Sequence, residues 1–114
     1  MYIKRHMEQL LEQITGQYPV LLVTGPRQVG KTTMLEHLAQ KEDRGRETVT
    51  LDDLTVRELA KTDPKMFFQL HKPPLLIDEV QYAPELFPYI KMMVDTRRQP
   101  GDFWLTGSQL FSMM

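Results

Sequence analysis

The chain has 114 residues, of which 41% are hydrophobic, and its 14 basic and 15 acidic side chains leave a net charge of −1. This length supports one domain with one core, and the balanced charge excludes both a highly charged disordered tail and a polybasic chain held on nucleic acid by bulk charge. The chain contains no cysteine, which excludes disulfide frameworks, thiolate metal sites and cysteine nucleophiles. No apolar run approaches the roughly 18 residues that span a bilayer, so we expect a cytoplasmic protein without a membrane partner.

The first half of the chain predicts a helix, a strand, a second helix and a second strand. Apolar residues at helical spacing indicate an amphipathic helix over residues 1–16. The apolar run Val20–Thr24 is typical of a strand that is buried on both faces. Residues 31–41 again show helical spacing, and the stretch TVTL at 48–51 predicts the second strand.

The second half of the chain continues the alternation of strands and helices. An aspartate before an apolar stretch can cap a helix, and a proline after such an aspartate is typical of the first helical turn. These signals predict, in chain order, a helix after Asp52 and Asp53, a helix over 63–70, a strand over 74–78, a helix from Pro84 and a strand over 102–106. Strands that alternate with helices predict an α/β fold with a parallel sheet and helices on both faces.

The segment GPRQVGKT at 25–32 matches the pattern G-x-x-x-x-G-K-[ST] of the phosphate-binding loop. Its glycines let the backbone curl so that successive N–H groups point at phosphate oxygens. In this pattern Lys31 places a positive charge beside the β- and γ-phosphates, and Thr32 offers a hydroxyl to Mg²⁺. The segment lies between a predicted strand and a predicted helix, as such a loop must. The predicted nucleotide-binding residues are Gly25, Pro26, Arg27, Gln28, Val29, Gly30, Lys31, Thr32 and Thr33.

A second motif, LLIDE at 75–79, delivers two carboxylates to the carboxyl edge of the predicted sheet. Asp78 at the end of this strand can hold Mg²⁺ through the water shell of the ion. Glu79 is then placed to polarise a water for attack on the γ-phosphate. Without the upstream loop, an Asp-Glu pair after an apolar run would more often cap a helix.

Polar residues also follow the second and fourth predicted strands. Ser108 is the first choice for a hydrogen bond to the γ-phosphate or to the attacking water, and Thr106 is the second; each could instead only satisfy the local turn. Asp52 is interpreted first as a helix cap, although it follows a strand end and could approach the same site.

Together, GPRQVGKT, the LDD after the second strand, LLIDEVQYAPELFPYIK and FWLTGSQ resemble the prokaryotic AAA-type ATPases whose N-terminal nucleotide domain precedes a C-terminal domain of unknown function. The resemblance runs from Tyr2 to Gln109. It implies a three-layer P-loop NTPase fold with sheet order 5-1-4-3-2, and a single ATP-binding domain over 1–114 with its nucleotide-binding core at 19–110. It also implies ATP and Mg²⁺ as cofactors and hydrolysis of ATP to ADP and phosphate. The residues that the resemblance assigns to catalysis are Glu79, Lys31 and Ser108, and those that it assigns to the metal are Thr32 and Asp78.

In that family a fifth strand, an arginine finger, a helical lid and the second domain follow the fourth strand. The resemblance therefore implies an N-terminal fragment, truncated after the fourth strand, that binds ATP with little turnover by itself. The first strand would then lie at an open sheet edge, through which we expect self-association.

Two other classes of function stay open at this point. DEVQ at 78–81 and GSQ at 107–109 superficially resemble motifs of a DNA helicase motor domain, which would need a second motor domain and would add nucleic acid as a partner. A non-hydrolysing ATP-binding module is the other alternative. A GTPase is disfavoured because the chain contains no asparagine for a guanine-reading N-K-x-D element. The sequence does not identify a protein client.

Overall fold

The computed structural model describes residues 2–25, 31–42 and 44–108, without the side chains of residues 2–8, 31 and 32. Within these ranges, helices and strands alternate along the chain as the sequence predicted. The elements are α1 (Tyr2–Thr15), β1 (Val20–Thr24), α2 (Lys31–Glu42), β2 (Glu47–Thr50), α3 (Leu54–Thr62), α4 (Pro64–Leu70), β3 (Leu75–Asp78), two 3-10 turns (Val80–Tyr82 and Pro84–Leu86), α5 (Phe87–Arg97) and β4 (Phe103–Gly107).

The four strands form one parallel sheet in the order β1-β4-β3-β2. This order confirms the predicted parallel α/β sheet and agrees with the neighbours 1-4-3-2 that the family resemblance implied. Because all four strands run in the same direction, their carboxyl ends meet at one edge. Thr50 pairs with Asp78 in the register of β2 and β3, and Thr24 pairs with Gly107 in that of β1 and β4. Residues that are far apart in sequence therefore meet at this edge.

Hydrophobic clusters cover both faces of the sheet. Ile77 and Leu105 belong to a cluster that includes residues of α3, α4 and α5, whereas their chain neighbours Leu76 and Trp104 belong to a cluster with residues of α1 and α2. Successive side chains of a strand point to opposite faces. The helices therefore form one layer on each side of the sheet, which confirms the predicted three-layer arrangement.

Arg46 organises the amino edge of the sheet, opposite the edge where the strands end. Its guanidinium donates to the Glu42 carboxylate at 2.5 and 3.1 Å and to the carbonyl of Gly101 at 2.7 Å. It also lies 3.7 Å above the ring of Trp104, whose Nε1–H donates to Thr15 Oγ1 at 2.7 Å. Since the side chain of Arg46 is fully buried, its charge needs these partners. The contacts tie α1, α2 and β4 together.

A second buried charge at the same edge is Asp102, just before β4. It is paired with the guanidinium groups of Arg97 at 2.7 Å and Arg44 at 3.7 Å. The hydrogen bond to Asp102 raises the pKa of Arg97, so this arginine keeps its charge at every physiological pH. Arg97 therefore serves the packing of the sheet at the end of α5.

Two helix starts follow the capping signals in the sequence. The Asp53 carboxylate accepts hydrogen bonds from the N–H groups of Thr55 and Val56 at 2.9 and 3.3 Å, and the Asp63 carboxylate accepts one from Met66 at 3.2 Å. Both aspartates are confirmed as N-caps, of α3 and α4. Such caps stabilise a protein by about 1 kcal/mol each.

Three predictions needed correction. The strand β1 is not buried on both faces: Leu21 is buried, but Leu22 is 43% exposed, because β1 lies at an edge of the described sheet. The second strand ends at Thr50, since Leu51 turns to donate its N–H to the carbonyl of Asp78 at 2.9 Å. Pro84 begins a 3-10 turn, and α5 follows from Phe87. Self-association through the β1 edge stays a prediction. Over the ranges described, there is no helix with the length and apolar character that a membrane span needs.

Candidate functional site

The carboxyl edge of the sheet holds a cluster of polar side chains whose centre is Asp78, the last residue of β3. Asp78 is 9% exposed and Glu79, the next residue, is 4% exposed. Thr50 reaches Asp78 from the end of β2, and Thr106 reaches it from β4. Ser108 follows the end of β4 and is also buried. The parallel register thus brings side chains from three strand ends to one place.

Two threonine hydroxyls hold the Asp78 carboxylate from opposite neighbouring strands. Thr50 Oγ1 donates to Asp78 Oδ2 at 2.7 Å, and Thr106 Oγ1 donates to Asp78 Oδ1 at 2.6 Å. An ionised carboxylate only accepts hydrogen bonds, so both hydroxyls are donors here and the bonds are charge-assisted. These contacts fix the orientation of the carboxylate at the end of the inner strand β3.

Glu79 links the end of β3 to the 3-10 turn Val80–Tyr82. Its backbone has φ 59° and ψ 48°, the left-handed conformation, and its N–H donates to Thr106 Oγ1 at 3.1 Å. A non-glycine residue in this region is uncommon and costs about 1 kcal/mol or more, and such residues cluster at functional sites. The turn places the carboxylate of Glu79 beside Gln81, whose Nε2 donates to Glu79 Oε1 at 2.6 Å. The side chain is therefore held within the edge of the sheet.

Asp52 joins Asp78 and Glu79 to form a group of three carboxylates. Each offers an oxygen, and these atoms all lie within 4.8 Å of one another. The N–H of Asp52 donates to Thr50 Oγ1 at 3.2 Å, which ties the chain after β2 to the threonine that holds Asp78. Three negative charges at this spacing favour a cation between them. Carboxylate and hydroxyl oxygens are the hard donors that Mg²⁺ prefers, so the residues present fit the ion that the sequence predicted.

The predicted phosphate-binding residues lie only in part within the described ranges. Gly25 follows β1 with φ 153°, a backbone conformation that L side chains rarely adopt, and its N–H donates to the carbonyl of Gly107 at 3.2 Å. Lys31 and Thr32 begin α2, but their side chains lie outside the described part, as do Pro26, Arg27, Gln28, Val29 and Gly30. Thr33 is exposed in the first turn of α2. The loop thus begins beside β4 and ends in the first turn of α2, and its contacts stay a prediction.

Of the predicted site residues in the described ranges, the structure brings Asp78, Glu79 and Ser108 together. It gives Thr106 a different contact from the one considered: its hydroxyl engages Asp78 and the Glu79 N–H, and the side chain is fully buried. Asp52 approaches the site, as one interpretation allowed.

Sequence reasoning missed two residues of the site, Thr50 and Gln81. The sequence carried a signal for Thr50, which is a polar residue at the end of a strand. In the register of β2 and β3, Thr50 lies opposite Asp78, so the two side chains meet. The signal for Gln81 was weaker, since its approach depends on the backbone turn at Glu79.

Comparison with protein families shows to which family the chain belongs. The family described as AAA domain matches residues 17–114. The chain belongs to this AAA domain family. The recognition based on the sequence motifs is therefore confirmed, and so is the α/β fold class. Membership indicates a nucleotide-binding, ATPase-like domain.

Two curated relatives match this AAA domain, one from Mycobacterium bovis and one from Mycobacterium tuberculosis, and both are described as uncharacterized. Each is 32% identical over 106 residues, which cover 92% of this chain and 23% of the relative. The chain therefore spans about a quarter of the length of these relatives. No solved structure matches it at a significant level.

Proposed function

We propose that this AAA domain binds ATP with Mg²⁺ at the carboxyl edge of its sheet, and that the intact protein hydrolyses ATP to ADP and phosphate. One observation carries the proposal: Asp78 ends the inner strand β3, Glu79 follows it, both side chains are buried, and Thr50 and Thr106 of the two neighbouring strands contact them. A buried pair of acids lowers stability unless hydrogen bonds or opposite charges compensate it, and the contacts here hold both acids at the edge where the phosphate loop begins.

The binding of the nucleotide is assigned to the loop and to the start of α2. Backbone N–H groups of residues 27–33 would point at the phosphates, and the positive end of the α2 dipole would stabilise the negative charge of the phosphates. Lys31 adds a mobile positive charge at the β- and γ-phosphates. Thr32 and Asp78 would hold Mg²⁺, which would neutralise negative charge on the phosphate oxygens.

The chemistry is assigned to Glu79 and Ser108. Glu79 accepts the proton of a water that attacks the γ-phosphate, which is the task of a general base. Ser108 carries a hydroxyl that can donate to the γ-phosphate or to that water. Because both side chains are buried, their electrostatic effects are stronger than in bulk water. We further propose that the domain is cytoplasmic and that it self-associates through the edge of the sheet at β1.

Asp78→Asn tests the assignment of the metal site. The amide keeps the size of the side chain but removes its charge, so the Mg²⁺ concentration at half-maximal hydrolysis should rise by about tenfold, as for other groups that act on a metal through its water shell. The measurement is the ATPase rate of the intact protein against Mg²⁺ at fixed ATP.

The matched control for Asp78→Asn is Asp95→Asn. Asp95 is exposed on α5, where it pairs with Lys91 at 3.1 Å on the surface. This control should keep the Mg²⁺ curve of the unmodified protein. An Asp78→Asn variant with the same Mg²⁺ curve as the control would contradict the metal assignment.

A further inference from the structure

Gln81 lies buried between the proposed general base and the end of β4. It belongs to the 3-10 turn Val80–Tyr82 and is 6% exposed. Its Nε2 donates to Glu79 Oε1 at 2.6 Å and to Ser108 Oγ at 3.2 Å. A primary amide has two N–H donors, so one side chain can bind the carboxylate and the hydroxyl together. These two contacts fix the plane of the amide.

The other end of the same amide is poorly satisfied. Among the described residues, Gln81 Oε1 is the buried side-chain polar atom that has no hydrogen-bond partner. Leaving such an oxygen unpaired costs about 1 to 3 kcal/mol. An apolar side chain of the same length would fill this space without that cost. Such a side chain would, however, leave the buried Glu79 carboxylate and the Ser108 hydroxyl without this donor. What the glutamine provides at this position is therefore its two donor contacts, both to proposed catalytic residues.

We propose that Gln81 is the positioning residue for Glu79, an inference that rests on the proposed function. A glutamate side chain has three rotatable bonds. Displacement of a catalytic carboxylate by about 1 Å from its reactive position can lower the reaction rate by about a hundredfold. The short bond from Gln81 holds one carboxylate oxygen of Glu79 in place. The second bond, to Ser108, anchors the amide at the end of β4. Gln81 acts on the reaction through the carboxylate of Glu79 and does not itself touch the reacting atoms.

The test replaces Gln81 with methionine, which has a similar length but donates no hydrogen bond. In the intact protein, Gln81→Met should lower kcat by about tenfold or more, because a misplaced base loses part of its contribution. The KM and the Kd for ATP should stay within about twofold, since the phosphate-binding loop is unchanged. Gln69→Met is the control, since Gln69 is exposed on α4, and this variant should keep the parental kcat.

The decisive comparison is the same substitution in a Glu79→Gln background, measured by single-turnover hydrolysis. If Gln81 acts through the Glu79 carboxylate, Gln81→Met should lower the rate of the Glu79→Gln variant no further. An equal loss in both backgrounds, or a loss of ATP affinity, would show that Gln81 only supports the structure and would overturn the inference.

A parental kcat in Gln81→Met would also overturn the inference. Should Gln81→Met fail to fold, Gln81→Leu provides the second variant, because its apolar side chain also has no N–H to donate to Glu79, and its kcat should fall in the same way. The proposed function fails on a different result, namely a Glu79→Gln variant that hydrolyses ATP at the parental rate. The two failures are therefore distinguishable.

Discussion

Glu79→Gln in the intact protein should lower kcat for ATP hydrolysis by about a hundredfold or more, the usual contribution of a general base. The amide keeps the size of the side chain but cannot take a proton from water. Since Asp78 and the phosphate loop are unchanged, the Kd for ATP should stay within about twofold of the parental value. A phosphate-release assay and calorimetry with Mg²⁺·ATP measure the two quantities.

The matched control is Glu85→Gln, at an exposed position in the 3-10 turn Pro84–Leu86. It makes the same chemical change on the surface and should leave both quantities unaltered. Hydrolysis at the parental rate in Glu79→Gln would show that Glu79 does not activate the water, and another group would then have to serve as the base.

Lys31→Ala should raise the Kd for ATP by tenfold or more, which corresponds to about 1.4 kcal/mol. The reason is that the phosphate-loop pattern assigns to this side chain a charge-assisted contact with the β- and γ-phosphates, which alanine cannot make. Its position in the first turn of α2 is consistent with this role. Calorimetry with Mg²⁺·ATP gives the Kd.

Lys61→Ala is the control for Lys31→Ala, because Lys61 is an exposed lysine in the last turn of α3. The control should bind ATP like the parent, which separates the loss of a phosphate contact from the loss of one positive charge. If Lys31→Ala and Lys61→Ala bound ATP equally well, the phosphate-loop interpretation would be wrong.

Local sequence signals predicted most of the fold because the responsible interactions are local. A parallel strand that is covered by helices must be apolar along its length, and Leu75–Asp78 follows that rule. Asp63 followed by Pro64 marked the start of α4 through hydrogen bonds that span three residues. The exposure of Leu22 could not be predicted in the same way, since it depends on which strand lies at the edge of the sheet.

The residues of the site also differ in whether a local sequence signal predicts them. Asp78, Glu79 and Ser108 were predicted because each ends or follows an apolar strand, and the family resemblance gave each a role. Thr50 depends on the register between β2 and β3, and Gln81 depends on the left-handed backbone at Glu79. Thr50 is a polar residue near the end of its predicted strand, but neither the register nor the backbone conformation follows from spacing in the sequence. The motif, and not the geometry, carries the assignment of the phosphate loop.

The central claim is that ATP and its metal ion bind at the carboxyl edge of the sheet, beside Asp78. The most direct test is a crystal structure of the intact protein with a non-hydrolysable ATP analogue and Mn²⁺, which shares the oxygen ligands of Mg²⁺ and is located by its anomalous scattering. We predict an anomalous peak beside the Asp78 carboxylate and a triphosphate at the N-terminus of α2. A nucleotide bound elsewhere, or a metal peak remote from Asp78, would contradict the claim.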